Sequence, residues 1–265
     1  GLHLLLNNSV GKSLLLRFHR RKHQVDLQRI LETYDFFVMF GPPNLGELRY
    51  FVPKFDESKI RLIPNSIPQV AETIPPKKKR LLWLGRVAKS QKRADLIPKI
   101  WARISAELPD WTLDIVGEGP ELDFLKAEMR SLGLKRFCFH GRQVPDDYYR
   151  SSPVFFMTSA FEGFPNTLIE AQSFGSIPVI FDSYPVASWI VEEGVNGFLI
   201  KPFDVDAMAN RIIDVARSER REQLAQGALD SARRFHIDRV GKQWSKLFDT
   251  EVPKHRLVCG SKQVA

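Results

Sequence analysis

The residues best suited to chemistry lie in two short stretches of the chain. The first, GRVAKSQKR, contains Arg86 and Lys92, and the second, FEGFPNTLIE, places Glu162 and Glu170 on either side of a Gly-Phe-Pro-Asn turn. Cations that converge with unpaired backbone N–H groups bind phosphate, and an ionised carboxylate accepts hydrogen bonds from vicinal sugar hydroxyls. The combination predicts a site for a phosphorylated sugar or nucleotide.

Each glutamate also has a plain structural explanation. Glu170 falls where an amphipathic helix carries a polar residue, and Glu162 is a favourable charge near a helix N-terminus. Only the convergence of both with Arg86 and Lys92 favours a role in ligand binding. In that case Glu170 holds a ribose and Glu162 a transferred sugar, and a helix start at Asn166–Thr167 directs its dipole toward the phosphate.

The elements that position these residues indicate an α/β fold. After residue 80, short apolar runs alternate with stretches of helical periodicity, which is typical of βαβ units and a parallel sheet. Near-continuous apolar strands indicate a sheet that helices cover on both faces. The predicted strands are 80–84, 111–116, 136–139, 154–158, 177–181 and 197–200, and the predicted helices are 94–107, 120–132, 166–174, 186–193, 204–217, 219–234 and 237–250. We therefore expect a doubly wound parallel sheet of the Rossmann-like type.

The strand order predicts which loops meet. In a sheet of order 3-2-1-4-5-6, the first and fourth strands are neighbours, and ligands bind beyond their carboxyl ends. The loops after those strands are the two stretches above, so we expect Arg86 and Lys92 to lie near Glu162. A nicotinamide dehydrogenase is not expected, because Leu122 stands where the dinucleotide fingerprint requires a third glycine.

The chain is predicted to hold one complete domain and part of another. Residues 71–250 contain the expected sheet, and we interpret residues 1–70 as the end of a second, incomplete Rossmann-like domain whose beginning is absent from this chain. The elements predicted in that first part are a strand at 35–40, a helix around 44–52 and a strand at 60–63. The segment 68–79, PQVAETIPPKKK, is predicted to be a linker, and 251–265 a mobile tail.

Composition and charge narrow the possible partners. None of the apolar runs approaches the ~18 residues of a membrane span, and no signal-peptide pattern opens the chain, so we expect a soluble, cytoplasmic protein. Cys138 and Cys259 imply neither a disulfide framework nor a metal site. The formal charge is +8, and the basic clusters Arg17–His23 and Lys77–Arg80 are either solvated surface or attract phosphorylated ligands or an anionic membrane. Without interleaved aromatic residues they do not predict nucleic-acid binding.

Taken together, these segments resemble the C-terminal donor domain of the retaining glycosyltransferases of family 4, which have the two-domain GT-B fold. The resemblance rests on EGFPNTLIEA with its Glu-x7-Glu spacing, FGSIPVI, GRVAKSQKRADLI, VGEGPELDFLK and FHGR, with IPNSI as the interdomain segment. It covers about residues 60–250. It implies transfer of a sugar from a nucleotide-diphosphate sugar to a hydroxyl acceptor, with retained configuration and without a metal ion or other cofactor.

The resemblance also implies a role for each matching residue. Arg86 and Lys92 would bind the diphosphate and stabilise its charge as it leaves, and Glu162 would contact the sugar, so these three form the catalytic group. Glu170 would bind the ribose. The other donor-binding positions are Gly85, Gly163, Phe164, Pro165, Asn166, Thr167 and Arg142, the last of which would stack on or bond to the base. A surface arginine at Arg142 and a helix cap at Asn166 are the simpler explanations for those two.

The chain departs from the family after the fifth strand, where FDSYPVASW replaces a Gly-Gly segment and a further glutamate. The family's donor-sugar contacts in that loop therefore do not carry over to this chain from the resemblance. The leading hypothesis is a glycosyltransferase of surface polysaccharide or glycolipid biosynthesis, which would use a saccharide or lipid-linked saccharide acceptor and could lie at the inner face of the membrane. Two alternatives remain: a non-catalytic nucleotide-sugar-binding fragment or partner subunit, and an epimerase of GT-B architecture that acts without an acceptor.

Overall fold

A computed structural model describes the backbone of residues 12–251 and the side chains of residues 21 and 23–250. The first part of the described chain is a small α/β unit. Its elements are helix α1 (Lys12–Thr33), strand β1 (Phe37–Met39), helix α2 (Pro42–Phe51) and strand β2 (Ile60–Leu62). The two strands pair in parallel. The buried side chains that hold the helices on one face of this pair are Leu31, Leu48 and Val52.

The following residues form a parallel sheet of six strands. The strands are β3 (Arg80–Leu84), β4 (Thr112–Val116), β5 (Phe137–Gly141), β6 (Val154–Met157), β7 (Ile177–Phe181) and β8 (Phe198–Ile200). They lie in the order β5-β4-β3-β6-β7-β8, and every neighbouring pair is parallel. Counted from the first strand of this sheet, that is the order 3-2-1-4-5-6. The prediction of a doubly wound α/β fold is confirmed.

Helices cover both faces of this sheet and explain its apolar strands. They are α3 (Ile97–Glu107), α4 (Leu122–Ser131), α5 (Asp146–Ser151), α6 (Asn166–Gln172), α7 (Ala187–Ile190), α8 (Val205–Arg217) and α9 (Arg221–Ala232), after which the chain continues into α10 (Ile237–Lys246). Trp83 and Ile115 belong to the core under α3, α4 and α8, whereas Leu82 and Phe155 belong to the core under α6 and α7. Strands β6 and β7 are buried along their whole length, as the middle of such a sheet requires.

Four helices differ from the sequence-based prediction, each for a local reason. Helices α1 and α5 are not among the predicted helices. Helix α1 is strongly basic and shows no regular apolar stripe, and α5, with six residues, is too short to show helical periodicity. The helix expected at 186–193 is confined to the four residues of α7, because the chain is extended again at Val191. The helix expected at 237–250 is α10 followed by a π-helical turn, Leu247–Glu251.

The segment at 68–79 forms no helix or strand in the described chain, yet its basic end is packed. Lys77 Nζ donates to the backbone oxygens of Tyr149 at 2.9 Å and Phe174 at 2.7 Å. These carbonyls lie at or beyond the ends of α5 and α6, where backbone oxygens lack partners within the helix. The expectation that the cluster Lys77–Arg80 is solvated or free to attract anions is therefore wrong for Lys77.

Replacing Lys77 by methionine is expected to change how stability depends on pH. Burial, with a smaller contribution from the charge of Arg150, lowers the pKa of Lys77 from 10.5 to about 7. The unfolded chain then binds more protons than the folded protein between these two values, so the free energy of unfolding rises with pH across that window. Lys77→Met should flatten the rise, which urea unfolding at a series of pH values measures. The exposed neighbour Lys78→Met should keep the wild-type slope, and an unchanged slope in Lys77→Met would contradict the assignment.

Helix α10 returns to the first part of the chain. Ile67 exchanges backbone hydrogen bonds with Phe235 and Ile237, each 2.9 Å long. Val240 of α10 then packs with Ile63, which follows β2. Helix α10 therefore shares a core with the β1–β2 pair, although it follows the six-stranded sheet in sequence.

Some predictions fall partly outside the described residues. The basic cluster Arg17–His23 lies on α1, and of its side chains only those of Arg21 and His23 are described; both are exposed. Nearly all of the expected tail, 252–265, also lies outside the described part. None of the helices within that part is long and apolar enough to cross a membrane.

Candidate active site

Two loops at the carboxyl ends of the strands are joined to each other by hydrogen bonds. They follow the neighbouring strands β3 and β6. Ala160 N–H donates to the backbone oxygen of Gln91 at 2.7 Å, and Thr158 Oγ1 donates to the backbone oxygen of Lys92 at 2.6 Å. Trp83 on β3 donates its indole N–H to Thr158 Oγ1 at 3.0 Å. The loops thus meet where ligands of doubly wound sheets bind.

A buried ion pair joins these loops. Lys92 Nζ lies 2.6 Å from Glu162 Oε1, and the two side chains are 17% and 7% exposed. Gln91 Nε2 donates to the other carboxylate oxygen of Glu162 at 3.3 Å. The structure therefore brings Lys92 and Glu162 together, as the strand order predicts, and shows in addition that each neutralises the other.

Arg86 lies in the same loop as Lys92 and is exposed. Its guanidinium makes no hydrogen bond or ion pair with another residue of the described chain. Gly85 precedes it, and a Cβ built there would lie 3.5 Å from Lys92 Cδ, so the lysine stem packs over the glycine. Arg86 is thus a solvent-accessible cation close to the ion pair.

The loop after β3 keeps its shape by packing against two glycines after β4. Val87 N–H donates to the backbone oxygen of Glu118 at 2.8 Å. A Cβ at Gly117, whose φ is +132°, would lie 2.0 Å from the oxygen of Gly85, and one at Gly119 would lie 2.2 Å from the oxygen of Val87. Both positions require glycine, because the two backbones approach more closely than a side chain permits. Sequence reasoning assigned these glycines no role of their own, and their position directly after a strand was the available signal.

The turn between the two glutamates contacts the first part of the chain. Phe164 is buried, and its ring centroid lies 5.3 Å from that of Phe40. Pro165 occupies the N-cap position of α6, so the explanation of Asn166 as a helix cap is wrong. The Asn166 side chain instead accepts a hydrogen bond from Asn65 Nδ2 at 3.0 Å. The other members of the turn are the exposed Gly163 and the half-buried Thr167.

Glu170 lies about one turn into α6 and is held by a tyrosine. The Tyr149 hydroxyl donates to Glu170 Oε2 at 2.9 Å. Burial raises the pKa of Glu170, the hydrogen bond from Tyr149 opposes that rise, and the charge of Asp146 adds to it. Tyr149 belongs to α5, which sequence reasoning missed, so this partner was missed as well. Glu162 and Glu170 thus have different hydrogen-bond partners.

Arg142 lies on the same edge of the sheet but stays at the surface. Its side chain is exposed, and its backbone N–H lies 3.4 Å from Glu118 Oε1. The loops after β4 and β5 are linked, because Gly117 N–H donates to the backbone oxygen of Gly141 at 2.7 Å. The suggested contact of Arg142 with a base stays a prediction.

One group of described residues has metal-ligating atoms close together. An oxygen of Asp114, Sγ of Cys138 and a ring nitrogen of His140 lie within 4.8 Å of one another. Asp114 is buried and already engaged, by Arg80 Nη1 at 3.0 Å and His140 Nε2 at 2.7 Å. Because the adjacent guanidinium opposes a second cation, we interpret the group as a hydrogen-bonded network across β3, β4 and β5.

Solved structures of glycosyltransferases share this architecture. The chain superposes on the pneumococcal O-GlcNAc transferase GtfA, solved with UDP and GlcNAc, with a TM-score of 0.74 and 25% identity, over 82% of this chain and 45% of that one. The apo form of the lipopolysaccharide outer core galactosyltransferase WaaB matches with a TM-score of 0.68 and 22% identity, over 82% of this chain and 62% of that one. The second likeness shows the fold alone.

Relatives found by sequence are also glycosyltransferases. The chain is 27% identical over 184 residues to an uncharacterized glycosyltransferase of Haemophilus influenzae, covering 68% of this chain and 52% of that protein. It is 30% identical over 168 residues to the lipopolysaccharide 1,6-galactosyltransferase of Salmonella typhimurium, covering 58% of this chain and 46% of that protein. The chain thus spans about half the length of these relatives.

The family match covers the whole candidate site. The sequence model of the family Glycosyl transferases group 1 matches residues 68–230, which is more than half of the chain. That range contains the six strands β3 to β8 and every candidate site residue from Gly85 to Glu170. The chain therefore belongs to the group 1 glycosyl transferases.

Proposed function

We propose that the chain provides the donor site of a retaining, metal-independent glycosyltransferase of family 4, which transfers a hexose from a nucleotide-diphosphate sugar to a hydroxyl acceptor. The observation that carries the proposal is the buried contact of Lys92 with Glu162, with the exposed cation Arg86 in the same loop. A diphosphate needs cations and a sugar needs a hydrogen-bond acceptor, and both kinds of group are joined here at the carboxyl edge of β3 and β6.

Arg86 and Lys92 are proposed to stabilise the leaving group. When the bond between the sugar and the diphosphate breaks, negative charge grows on the diphosphate oxygens. Preorganised cations in a water-poor site stabilise such a transition state by several kcal/mol. Lys92 has three N–H donors, so it can bind a phosphate oxygen and still contact Glu162. Because side-chain cations supply this stabilisation, the proposed reaction needs no metal ion.

The two glutamates are proposed to bind the two sugars of the donor. Glu162 accepts a hydrogen bond from a hydroxyl of the transferred sugar, while Glu170, one of whose oxygens is bonded to Tyr149, accepts from the ribose. The turn from Gly163 to Thr167 meets the donor sugar and phosphates, and Arg142 meets the base. Uracil is the proposed base, because GtfA and other structures similar to this chain were solved with UDP.

Surface polysaccharide or glycolipid biosynthesis is the proposed setting. The relative named as a lipopolysaccharide galactosyltransferase supports a saccharide or lipid-linked saccharide as acceptor. The proposed location is the cytoplasm, with the basic cluster Arg17–His23 against an anionic membrane surface. Retention of configuration rests on the likeness of EGFPNTLIEA to the retaining enzymes of family 4.

Calorimetric titration with UDP, GDP and ADP tests the donor site first. We expect UDP to bind with a dissociation constant in the micromolar to millimolar range and the other two to bind more weakly. If the folded chain binds none of the three, the proposed donor site is wrong.

Turnover is tested next with UDP-glucose, UDP-galactose and UDP-N-acetylglucosamine and a set of saccharide acceptors. We expect one donor to react, the product to keep its anomeric configuration by NMR, and EDTA to leave the rate unchanged. An inverted product would contradict retention. UDP binding without any reaction would favour a nucleotide-sugar-binding role, and release of an altered sugar without an acceptor would favour an epimerase.

A further inference from the structure

The loop after β7 brings a buried tyrosine to the edge of the proposed donor site. This loop, residues 182–186, lies beside the loop of Glu162 because β6 and β7 are paired. Ser183 Oγ donates to the backbone oxygen of Ser159 at 2.6 Å, which ties the two loops together shortly before Glu162. The next residue, Tyr184, is 3% exposed.

The hydroxyl of Tyr184 is buried and has no hydrogen-bond partner within the described part of the chain. Burying an unpaired hydroxyl destabilises the folded state, whereas a phenylalanine would fill the same space without that cost. Packing alone therefore does not explain a tyrosine at this position.

The carboxylates near Tyr184 indicate which group its hydroxyl can donate a hydrogen bond to. Burial raises the pKa of Tyr184 well above its ordinary value, and the carboxylates of Glu162 and Asp182 raise it further. The phenol therefore remains protonated at physiological pH and can act as a hydrogen-bond donor. Asp182 is exposed to water, but the side chain of Glu162 is buried and depends on the protein for its partners.

Glu162 would share its main partner, Lys92, with the diphosphate of a bound nucleotide sugar. Its shortest contact is to Lys92, at 2.6 Å, and the contact with Gln91 is long, at 3.3 Å. When a diphosphate binds, the ammonium of Lys92 divides its N–H groups between the phosphate and Glu162, so its contact with the carboxylate is weakened but not lost. The buried carboxylate then needs an additional hydrogen-bond donor.

We propose that Tyr184 is a positioning residue that orients Glu162 toward the donor sugar. When the diphosphate engages Lys92, the Tyr184 hydroxyl donates a hydrogen bond to the Glu162 carboxylate and holds it toward a hydroxyl of the sugar. The inference rests on the proposed function, which assigns Glu162 to the sugar and Lys92 to the diphosphate. It gives the loop FDSYPVASW, which lacks the Gly-Gly segment and glutamate of family 4, its own contribution to sugar binding.

Replacing Tyr184 by phenylalanine separates this role from packing. Loss of the unpaired hydroxyl should leave the thermal midpoint of unfolding unchanged or raise it. The same variant should bind the UDP-sugar used by the wild type roughly tenfold more weakly, and UDP within about twofold of wild type, because UDP carries no sugar for Glu162 to hold. A purely structural role cannot produce equal or higher stability together with a loss that is specific to the sugar.

Calorimetry with UDP and with the three UDP-sugars, together with thermal unfolding, is carried out on the wild type, Tyr184→Phe and Tyr34→Phe. Tyr34 is exposed and lies just after α1, so its variant is the matched control and should match the wild type throughout.

A lower thermal midpoint with unchanged sugar affinity in Tyr184→Phe would overturn the inference and indicate a hydroxyl paired with buried water. Equal losses of UDP and UDP-sugar affinity would overturn it too. If the wild type binds no nucleotide, the proposed function fails as well; a binding-competent wild type beside an unaffected Tyr184→Phe overturns this inference alone.

Discussion

Replacing Lys92 by methionine is expected to reduce sugar transfer by about 10²–10³-fold, because the leaving diphosphate loses a preorganised cation. The same change should destabilise the folded protein by about 3 kcal/mol, since Glu162 stays buried without its ammonium partner. Only 7% of the Glu162 side chain is exposed, so water cannot replace that partner. Urea unfolding measures the loss of stability, and initial rates with the UDP-sugar that the wild type uses measure the loss of activity.

A double variant separates the two effects of this substitution. Combining Lys92→Met with Glu162→Gln removes both charges, so stability should recover by about 2 kcal/mol relative to Lys92→Met alone, while transfer stays lost. Lys89→Met changes an exposed lysine of the same loop and is the control for stability, which should stay within about 0.5 kcal/mol of wild type. Sugar transfer by Lys92→Met at a rate close to that of the wild type would show that another group stabilises the leaving diphosphate.

Replacing Glu170 by glutamine is expected to weaken UDP binding about tenfold or more near pH 8 and to reduce the dependence of that binding on pH. Burial raises the pKa of Glu170 above its ordinary value of 4.5. Ribose hydroxyls bond best to the ionised carboxylate, so the affinity of the wild type for UDP should fall as the pH falls toward that raised pKa. Calorimetry from pH 8 downward should show a steeper fall in the wild type than in Glu170→Gln, which keeps only the dependence that comes from protonation of the UDP phosphate.

The raised pKa of Glu170 also has a defined effect on stability. The folded protein binds more protons than the unfolded chain between the two pKa values, so stabilisation by the protonated carboxyl is lost as the pH rises through that window. The bond from Tyr149 favours the ionised form, and Tyr149→Phe should therefore raise the pKa of Glu170 further and move the UDP-binding profile to higher pH. Equal affinity of the wild type and Glu170→Gln for UDP near pH 8 would contradict the assignment of Glu170 to the ribose.

The parallel sheet is the part of the structure that can be predicted most closely from residue patterns. The strands predicted at 80–84 and 177–181 have the observed bounds, because each is an apolar run between polar turns. Burial on both faces of a sheet requires such runs. The repeated βαβ pattern indicates a doubly wound sheet, and the common strand order 3-2-1-4-5-6, which the structure has, places the loops of Lys92 and Glu162 together.

Residue patterns are least informative where a contact joins distant parts of the chain. Lys77 reads as part of a polar linker, yet its ammonium bonds to carbonyls 72 and 97 positions further along. Asn166 reads as a helix cap, yet its side chain bonds to Asn65, 101 positions earlier. In each case the hydrogen-bond partner is a backbone or side-chain group that is distant in sequence, so the neighbouring residues do not indicate it.

For this protein, apolar periodicity and turn residues along the chain are sufficient to establish the fold class, the six strands and the two loops that carry the candidate site. Packing in three dimensions was needed to establish the state of each site residue. It pairs Lys92 with Glu162 across 70 positions and Glu170 with Tyr149 across 21, and it leaves the Tyr184 hydroxyl without a partner in the described chain. Hydrogen bonds form or fail over a few tenths of an ångström. Differences of that size depend on how the helices and loops pack against the sheet. A local pattern of residue types does not determine that packing.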